Sequence, residues 1–77
     1  MTVGFVLVRV SPKHETEVFN TLSKLLEVVE IHPLFGEYDL IAKVESVAYE
    51  HIEEIANKIR TINGITNTQT LTAIDYL

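Results

Sequence analysis

Read from the N-terminus, the chain alternates between nearly continuous apolar runs and stretches where apolar residues recur at helical spacing. Val3-Gly4-Phe5-Val6-Leu7-Val8-Arg9-Val10 is rich in branched and aromatic side chains, the pattern of a central strand covered on both faces. Ser11 is placed to cap a helix, Pro12 suits its first position, and Glu15 and Glu17 fall near the positive end of its dipole. Val18, Phe19, Leu22, Leu25 and Leu26 then form one apolar stripe, with Asn20, Ser23 and Lys24 facing elsewhere. A helix lying on a sheet is predicted here.

Val28 to Phe35 reads as a strand that tolerates Pro33 because it lies at a sheet edge. After a turn at Gly36, Leu40 to Val44 forms the next strand, so the pair is a hairpin. Ser46 is placed to cap a second helix whose apolar side is Ala48, Ile52, Ile55, Ala56 and Ile59. Glu54 and Lys58 make an exposed i, i+4 pair, Arg60 stands at the C-terminal end, and Gly64 stops the helix. Ile65 through Tyr76 closes the chain as a strand, in which Thr66, Thr68 and Thr70 alternate with Asn67 and Gln69 before Leu71, Ala73 and Ile74.

The order strand, helix, strand, strand, helix, strand predicts an α+β, ferredoxin-like βαββαβ fold, with a four-stranded antiparallel sheet and two helices on one face. Two helices cover only one side of such a sheet, yet the first strand is apolar on both. Pairing of two sheets face to face, as in a dimeric α/β barrel, would bury the remainder. Length points the same way, because 77 residues make a single domain over 1-77 that buries only about 60% of its unfolded surface. Cysteine is absent, which removes disulfides as a staple and leaves oligomerisation as the support.

The net charge of -5 arises from 11 acidic and 6 basic residues, the basic ones scattered along the chain. That balance argues against direct nucleic-acid binding, which rests on concentrated Lys and Arg. The N-terminal apolar run is interrupted by Arg9 and is too short to span a membrane, and no basic segment precedes it for export. A cytoplasmic location and no membrane partner are the expectation.

Candidate chemistry concentrates in Leu34-Phe35-Gly36-Glu37-Tyr38-Asp39-Leu40, where a turn brings an aromatic hydroxyl and a carboxylate to a strand edge. On residue chemistry alone, Gly36 supplies a positive φ, Tyr38 packs across strands and Asp39 satisfies loop amides. His14, His32 and His51 lack the spacing of a helical metal pair, and no metal or cofactor is expected. Glu50, Glu53 and Glu54 suit a solvated helix face, and Tyr49 and Tyr76 suit an amphipathic rim.

The chain resembles the effector-binding domain of the Lrp/AsnC family of feast/famine transcription regulators, known as the RAM domain. The likeness rests on the first apolar strand, the Gly36-Glu37-Tyr38-Asp39-Leu40 turn followed by Lys43-Val44, and the segment Ile62-Asn63-Gly64-Ile65-Thr66-Asn67-Thr68-Gln69-Thr70. It implies a non-enzymatic module that dimerises through its sheet, assembles into higher oligomers and binds a free amino acid at contacts between dimers. It also implies ligand-binding roles for Gly36, Tyr38, Asp39, Thr68 and Thr70, with Asp39 pairing the ammonium while glycine backbone and threonine hydroxyls meet the carboxylate. Glu37 lies outside the shared pattern. Family members usually carry a helix-turn-helix domain before this one, whereas this chain starts at the first strand. It is therefore similar to the stand-alone form, acting as a homo-oligomer or together with full-length regulators.

Two other readings share the element order. Dimeric ferredoxin-like sheets also host small enzymes of the monooxygenase or isomerase type, which need a polar cluster between sheet and helices. The helix stripes here are aliphatic or aromatic throughout. An ACT-like regulatory subunit would instead pair its sheets side by side.

Overall fold

A computed structural model describes residues 1–73. The chain runs β1 (Thr2–Val10), α1 (Glu15–Ser23), β2 (Val28–Pro33), β3 (Leu40–Ser46), α2 (Tyr49–Arg60) and β4 (Ile65–Thr72). All pairings are antiparallel and the strand order is β2-β3-β1-β4, so β1 is central and the proline-bearing β2 lies at an edge, as the sequence predicts. Pro33 pairs opposite Leu40 at the end of its strand, where its missing N–H costs no interior ladder bond.

Strand alternation divides the sheet into two chemically different faces. Val6, Val8 and Val10 of β1, with Leu40, Ala42 and Val44 of β3, turn toward the helices and are buried. Val18 and Leu22 of α1 and Ile52, Ile55, Ala56 and Ile59 of α2 close that core, and no polar residue among the described ones is buried in it. Gly4 permits the close seating of α2, because a Cβ there would stand 2.7 Å from Ile52 Cγ2 and 3.2 Å from Val44 Cγ2.

The other face carries no helix. Val3, Phe5 and Leu7 of β1 share it with Ile41 of β3 and Leu71 of β4, since Leu7 pairs with Ile41 and Phe5 with Leu71. Leu71 is 48% exposed, and Phe5 and Leu7 are only half-buried. Charged groups edge this apolar strip. Lys43 Nζ lies 3.5 Å from Glu30 Oε2 and 3.9 Å from Glu45 Oε2, and His32 Nε2 lies 3.1 Å from Glu30 Oε1. The hydrogen bond with His32, aided by the Lys43 charge, holds the Glu30 carboxyl below its ordinary value. A carboxyl lowered in the fold adds stability above its unfolded value, and that contribution fades as pH falls through the lowered one. Full exposure keeps it small here.

Several predicted boundaries move. The first helix starts at Glu15, with His14 at its cap position and no side-chain cap bond, whereas Ser11 and Pro12 stand before it. Ser11 is drawn into a tertiary link, its N–H donating to Gly64 O at 2.7 Å, and Lys13 at φ 74 breaks any helical path between. The helix stops at Ser23, so Leu25 packs from the following turn and Leu26 is 94% exposed, leaving the stripe two residues shorter than its periodicity suggests. Ser46 ends β3 and does not cap α2. Its Oγ lies 2.9 Å from His51 Nδ1, and Ala48 occupies the cap position. β2 ends at Pro33, two residues before Phe35. Glu54 and Lys58 form no ion pair within the described residues, as two long solvated side chains gain little from one fixed geometry. The predicted continuation of the last strand through Ile74 to Tyr76 lies outside the described residues.

Gly64 sits at φ +99, and a Cβ there would come within 2.7 Å of His14 Cβ and 3.1 Å of Val18 Cγ2. Gly64→Ala therefore combines backbone strain with a clash against α1, and is expected to lower unfolding stability by about 2 kcal/mol. Urea denaturation followed by circular dichroism measures it, and an unchanged midpoint would contradict the packing described.

Candidate functional site

The hairpin between β2 and β3 is closed at its base by Leu34 N–H donating to Asp39 O and by Asp39 N–H donating to Val8 O, both at 2.9 Å. Residues 35–38 consequently project past the end of the sheet. Gly36 takes φ +129 with nothing within 4 Å of a built Cβ, so the glycine serves the turn's conformation and leaves open space beside the backbone. Phe35 at the tip is fully solvent-exposed.

Asp39 occupies the point where β3 begins while β1 runs on. The strand pairing ends at Val8 and Leu40, which leaves the Val10 N–H pointing past the start of its neighbour. Asp39 Oδ2 accepts that N–H at 2.7 Å, so a carboxylate extends the ladder by one bond. The same side chain lines a cavity of about 380 Å³ together with Phe19, Pro33, Leu34 and Leu40 and with Glu15 and Thr16 of α1. Its wall combines acidic and apolar side chains.

Tyr38 turns to the helix-free face. Its hydroxyl donates to Gln69 Oε1 at 3.1 Å across β1, and its ring lies under Arg9, whose Cζ is 5.5 Å from the ring centroid. Arg9 Nε also donates to Glu37 O at 3.0 Å, fastening the turn to the central strand. Arg9 and Gln69 join Tyr38 without belonging to the residues that the sequence pattern marks as a site. The signal for Arg9 is its interruption of an apolar strand. Gln69 carries none, because its approach to Tyr38 depends on strand register.

Thr68 and Thr70 lie on the opposite face, since Val8 pairs with Thr68 and Val6 with Thr70, and both valines point to the helices. Thr68 Oγ1 accepts from Arg60 Nε at 3.1 Å and lines a cavity of about 160 Å³ beside Arg60, Ile65, Thr66 and Asn67. The Thr70 hydroxyl is enclosed and has no hydrogen-bond partner. The five candidate residues thus fall into three places: Gly36 and Tyr38 at the tip and helix-free face, Asp39 at the sheet end, and the threonines beneath α2. With the sheet between them, a single small ligand cannot touch Tyr38 and Thr70 of one copy.

An enclosed hydroxyl without a partner is a cost, and Thr70→Val is expected to raise unfolding stability by about 1 kcal/mol in the absence of ligand. Thermal or urea unfolding reads this directly. A loss of stability would mean that the hydroxyl has a partner in the folded protein.

The histidines are occupied locally: His51 by Ser46, His32 by Glu30, and His14 Nδ1 by Pro12 O at 3.3 Å. Among the described residues, no helix is long and apolar enough to cross a membrane.

The family model described as the Lrp/AsnC ligand binding domain matches residues 3–76. Among curated proteins, the HTH-type transcriptional regulator FL11 of Pyrococcus horikoshii is 30% identical over 69 residues, covering 90% of this chain and 46% of that one. The chain thus spans about half the length of the curated regulators it matches. A homocitrate synthase of Sulfurisphaera tokodaii is 32% identical over 66 residues, 79% of this chain and 14% of the enzyme. Among solved structures, TTHA0845 from Thermus thermophilus superposes with a TM-score of 0.92 at 27% identity, covering 100% of this chain and 98% of that one. FFRP-DM1 superposes at 0.89 with 37% identity, covering 96% and 100%. The transcriptional regulator NMB0573 of Neisseria meningitidis, solved as a complex with L-Met, shares the fold at 0.82 with 18% identity, over 96% of this chain and 50% of that one.

Proposed function

This chain belongs to the Lrp/AsnC family, and we propose that it is a non-enzymatic module over 1-77 that senses a free amino acid and assembles through its sheet. The observation that carries the reading is the apolar, helix-free face of the sheet, formed by Val3, Phe5, Leu7, Ile41 and Leu71. A second copy laid face to face would cover it, while a side-by-side arrangement of the ACT type would leave it wet. Homodimers then associate further, and the effector binds between copies. The division of Tyr38 from Thr68 and Thr70 by the sheet supports such a composite site, to which one copy contributes its hairpin and another its β4 threonines.

The cavity beside Asp39 supports an amino acid with an apolar side chain. Its carboxylate suits an ammonium, and Phe19, Pro33, Leu34 and Leu40 suit a hydrocarbon tail. The L-Met complex of the Neisseria regulator is in keeping with that class. The domain matches a part of DNA-binding regulators and a small part of a biosynthetic enzyme, which supports a portable regulatory unit. FFRP-DM1, matched over 100% of its length at 37% identity, is in keeping with a domain that folds as a unit, and we place the action of this chain in the cytoplasm, by itself or by co-assembly with full-length regulators. The acidic balance supports leaving DNA contact to such partners.

An enzyme working between sheet and helices would need a cluster of polar groups there, and among the described residues that layer holds no buried polar residue and one enclosed hydroxyl, that of Thr70. Calorimetry across the common amino acids tests the proposal. Saturable heat with leucine, isoleucine, methionine or phenylalanine is expected, and silence from the whole panel would overturn it.

A further inference from the structure

Arg60 is a cation in the last turn of α2, and its surroundings give it a sharper chemistry. We infer that Arg60 binds the carboxylate of the effector, alongside Thr68; this rests on the amino-acid reading above. The guanidinium is held in place by two bonds, Nε to Thr68 Oγ1 at 3.1 Å and Nη1 to Asn57 Oδ1 at 2.5 Å. Both acceptors are neutral. No carboxylate of the described residues lies within 4.0 Å of it, although acidic residues outnumber basic ones 11 to 6 along the chain. Lys43, by contrast, is already shared between Glu30 and Glu45.

A guanidinium has five N–H donors in a rigid fork, and two are engaged here. The remaining donors lie on Nη1 and Nη2, an edge that matches the two oxygens of a carboxylate. The arginine side chain is exposed, but it springs from fixed backbone, since Ile59, the preceding residue, is fully buried and Thr68 belongs to a paired strand. The adjoining cavity of about 160 Å³, lined by Arg60 with Ile65, Thr66, Asn67 and Thr68, is mainly polar and has room for the carboxylate end of an amino acid. Side chain and ammonium of the same ligand fall to the cavity beside Asp39 of a neighbouring copy, as the composite site proposed above requires. Arg9 also lacks a carboxylate partner, but it stacks on Tyr38 on the face that the second sheet would cover.

The experiment uses L-leucine, L-isoleucine, L-methionine and L-phenylalanine, each paired with its carboxamide, titrated calorimetrically into the unaltered protein, Arg60→Gln and Arg60→Lys. The amide keeps ammonium and side chain and removes only the negative charge. The unaltered protein is expected to prefer acid over amide by roughly tenfold or more. Arg60→Gln should lose that preference by weakening the acid alone, and Arg60→Lys, which keeps charge without the fork, should retain part of it. If Arg60→Gln binds the acids normally, or weakens acid and amide equally, the assignment is wrong and Arg60 merely positions Thr68. If the unaltered protein binds none of the acids, the amino-acid reading itself fails and takes this inference with it. Circular dichroism and gel filtration of both variants separate these results from misfolding.

Discussion

Leu7→Asp is expected to convert the assembled protein into folded monomers. Leu7 stands in the middle of β1, paired with Ile41 on one side and Gln69 on the other, on the face without helices. In an isolated chain the new carboxylate would meet water and polar neighbours, so the monomer's own core, built from Val6, Val8, Val18, Leu22, Ile52 and Ile59 on the other face, stays intact. Between two sheets the same carboxylate would be desolvated, while Arg9, two residues along the same face, is already engaged by the Tyr38 ring and Glu37 O, and two-fold symmetry would impose this twice. A cost of several kcal/mol per buried charge, incurred twice, opposes the pairing. Light scattering should report the monomer mass while the far-ultraviolet spectrum remains that of a mixed α+β fold. A mass unchanged by the substitution would show that some other surface joins the copies.

Asp39→Ala carries the second large effect, and a companion variant divides it into two parts. Removing the carboxylate strands the Val10 N–H at the end of β1, a part-buried donor with no other acceptor beside it, at a cost of about 1–3 kcal/mol. It also removes the anion from the cavity beside Phe19 and Leu34, so amino-acid binding should vanish. Asp39→Asn restores an acceptor oxygen for Val10 and leaves the cavity uncharged. Its stability should return most of the way toward that of the unaltered protein while affinity for the amino acid stays reduced at least roughly tenfold. If the Asn variant binds as the unaltered protein does, Asp39 is a strand-end acceptor only.

The architecture was legible because its signals are local and repeated. Val6, Val8 and Val10 alternating with Phe5, Leu7 and Arg9 announce a central strand with two apolar sides, and Ile52, Ile55, Ala56 and Ile59 announce the helix that covers one of them. The helices start later than their serines suggest because of contacts beyond the local sequence. The Ser11 backbone N–H donates to Gly64 O, far along the chain, and the Ser46 hydroxyl turns to His51, and neither partner can be read from the residues beside the serine. The candidate site was legible as a set of residues and illegible as a geometry. Which way Thr68 and Thr70 point follows from the pairing of β4 with β1, whose register slips between Arg9 and Val10, and a slip of one residue would exchange Gln69 for the threonines. The contacts of Arg9 with Glu37, of Gln69 with Tyr38 and of Arg60 with Thr68 join positions that are apart in the chain, and no local pattern announces them.

All of this depends on the apolar strip of Phe5, Leu7, Ile41 and Leu71 being covered by a second copy. Sedimentation equilibrium of the unaltered chain at micromolar concentration tests it most directly. An even number of subunits, a dimer or a multiple of dimers, is the expected result, and a folded monomer persisting at that concentration would contradict the account.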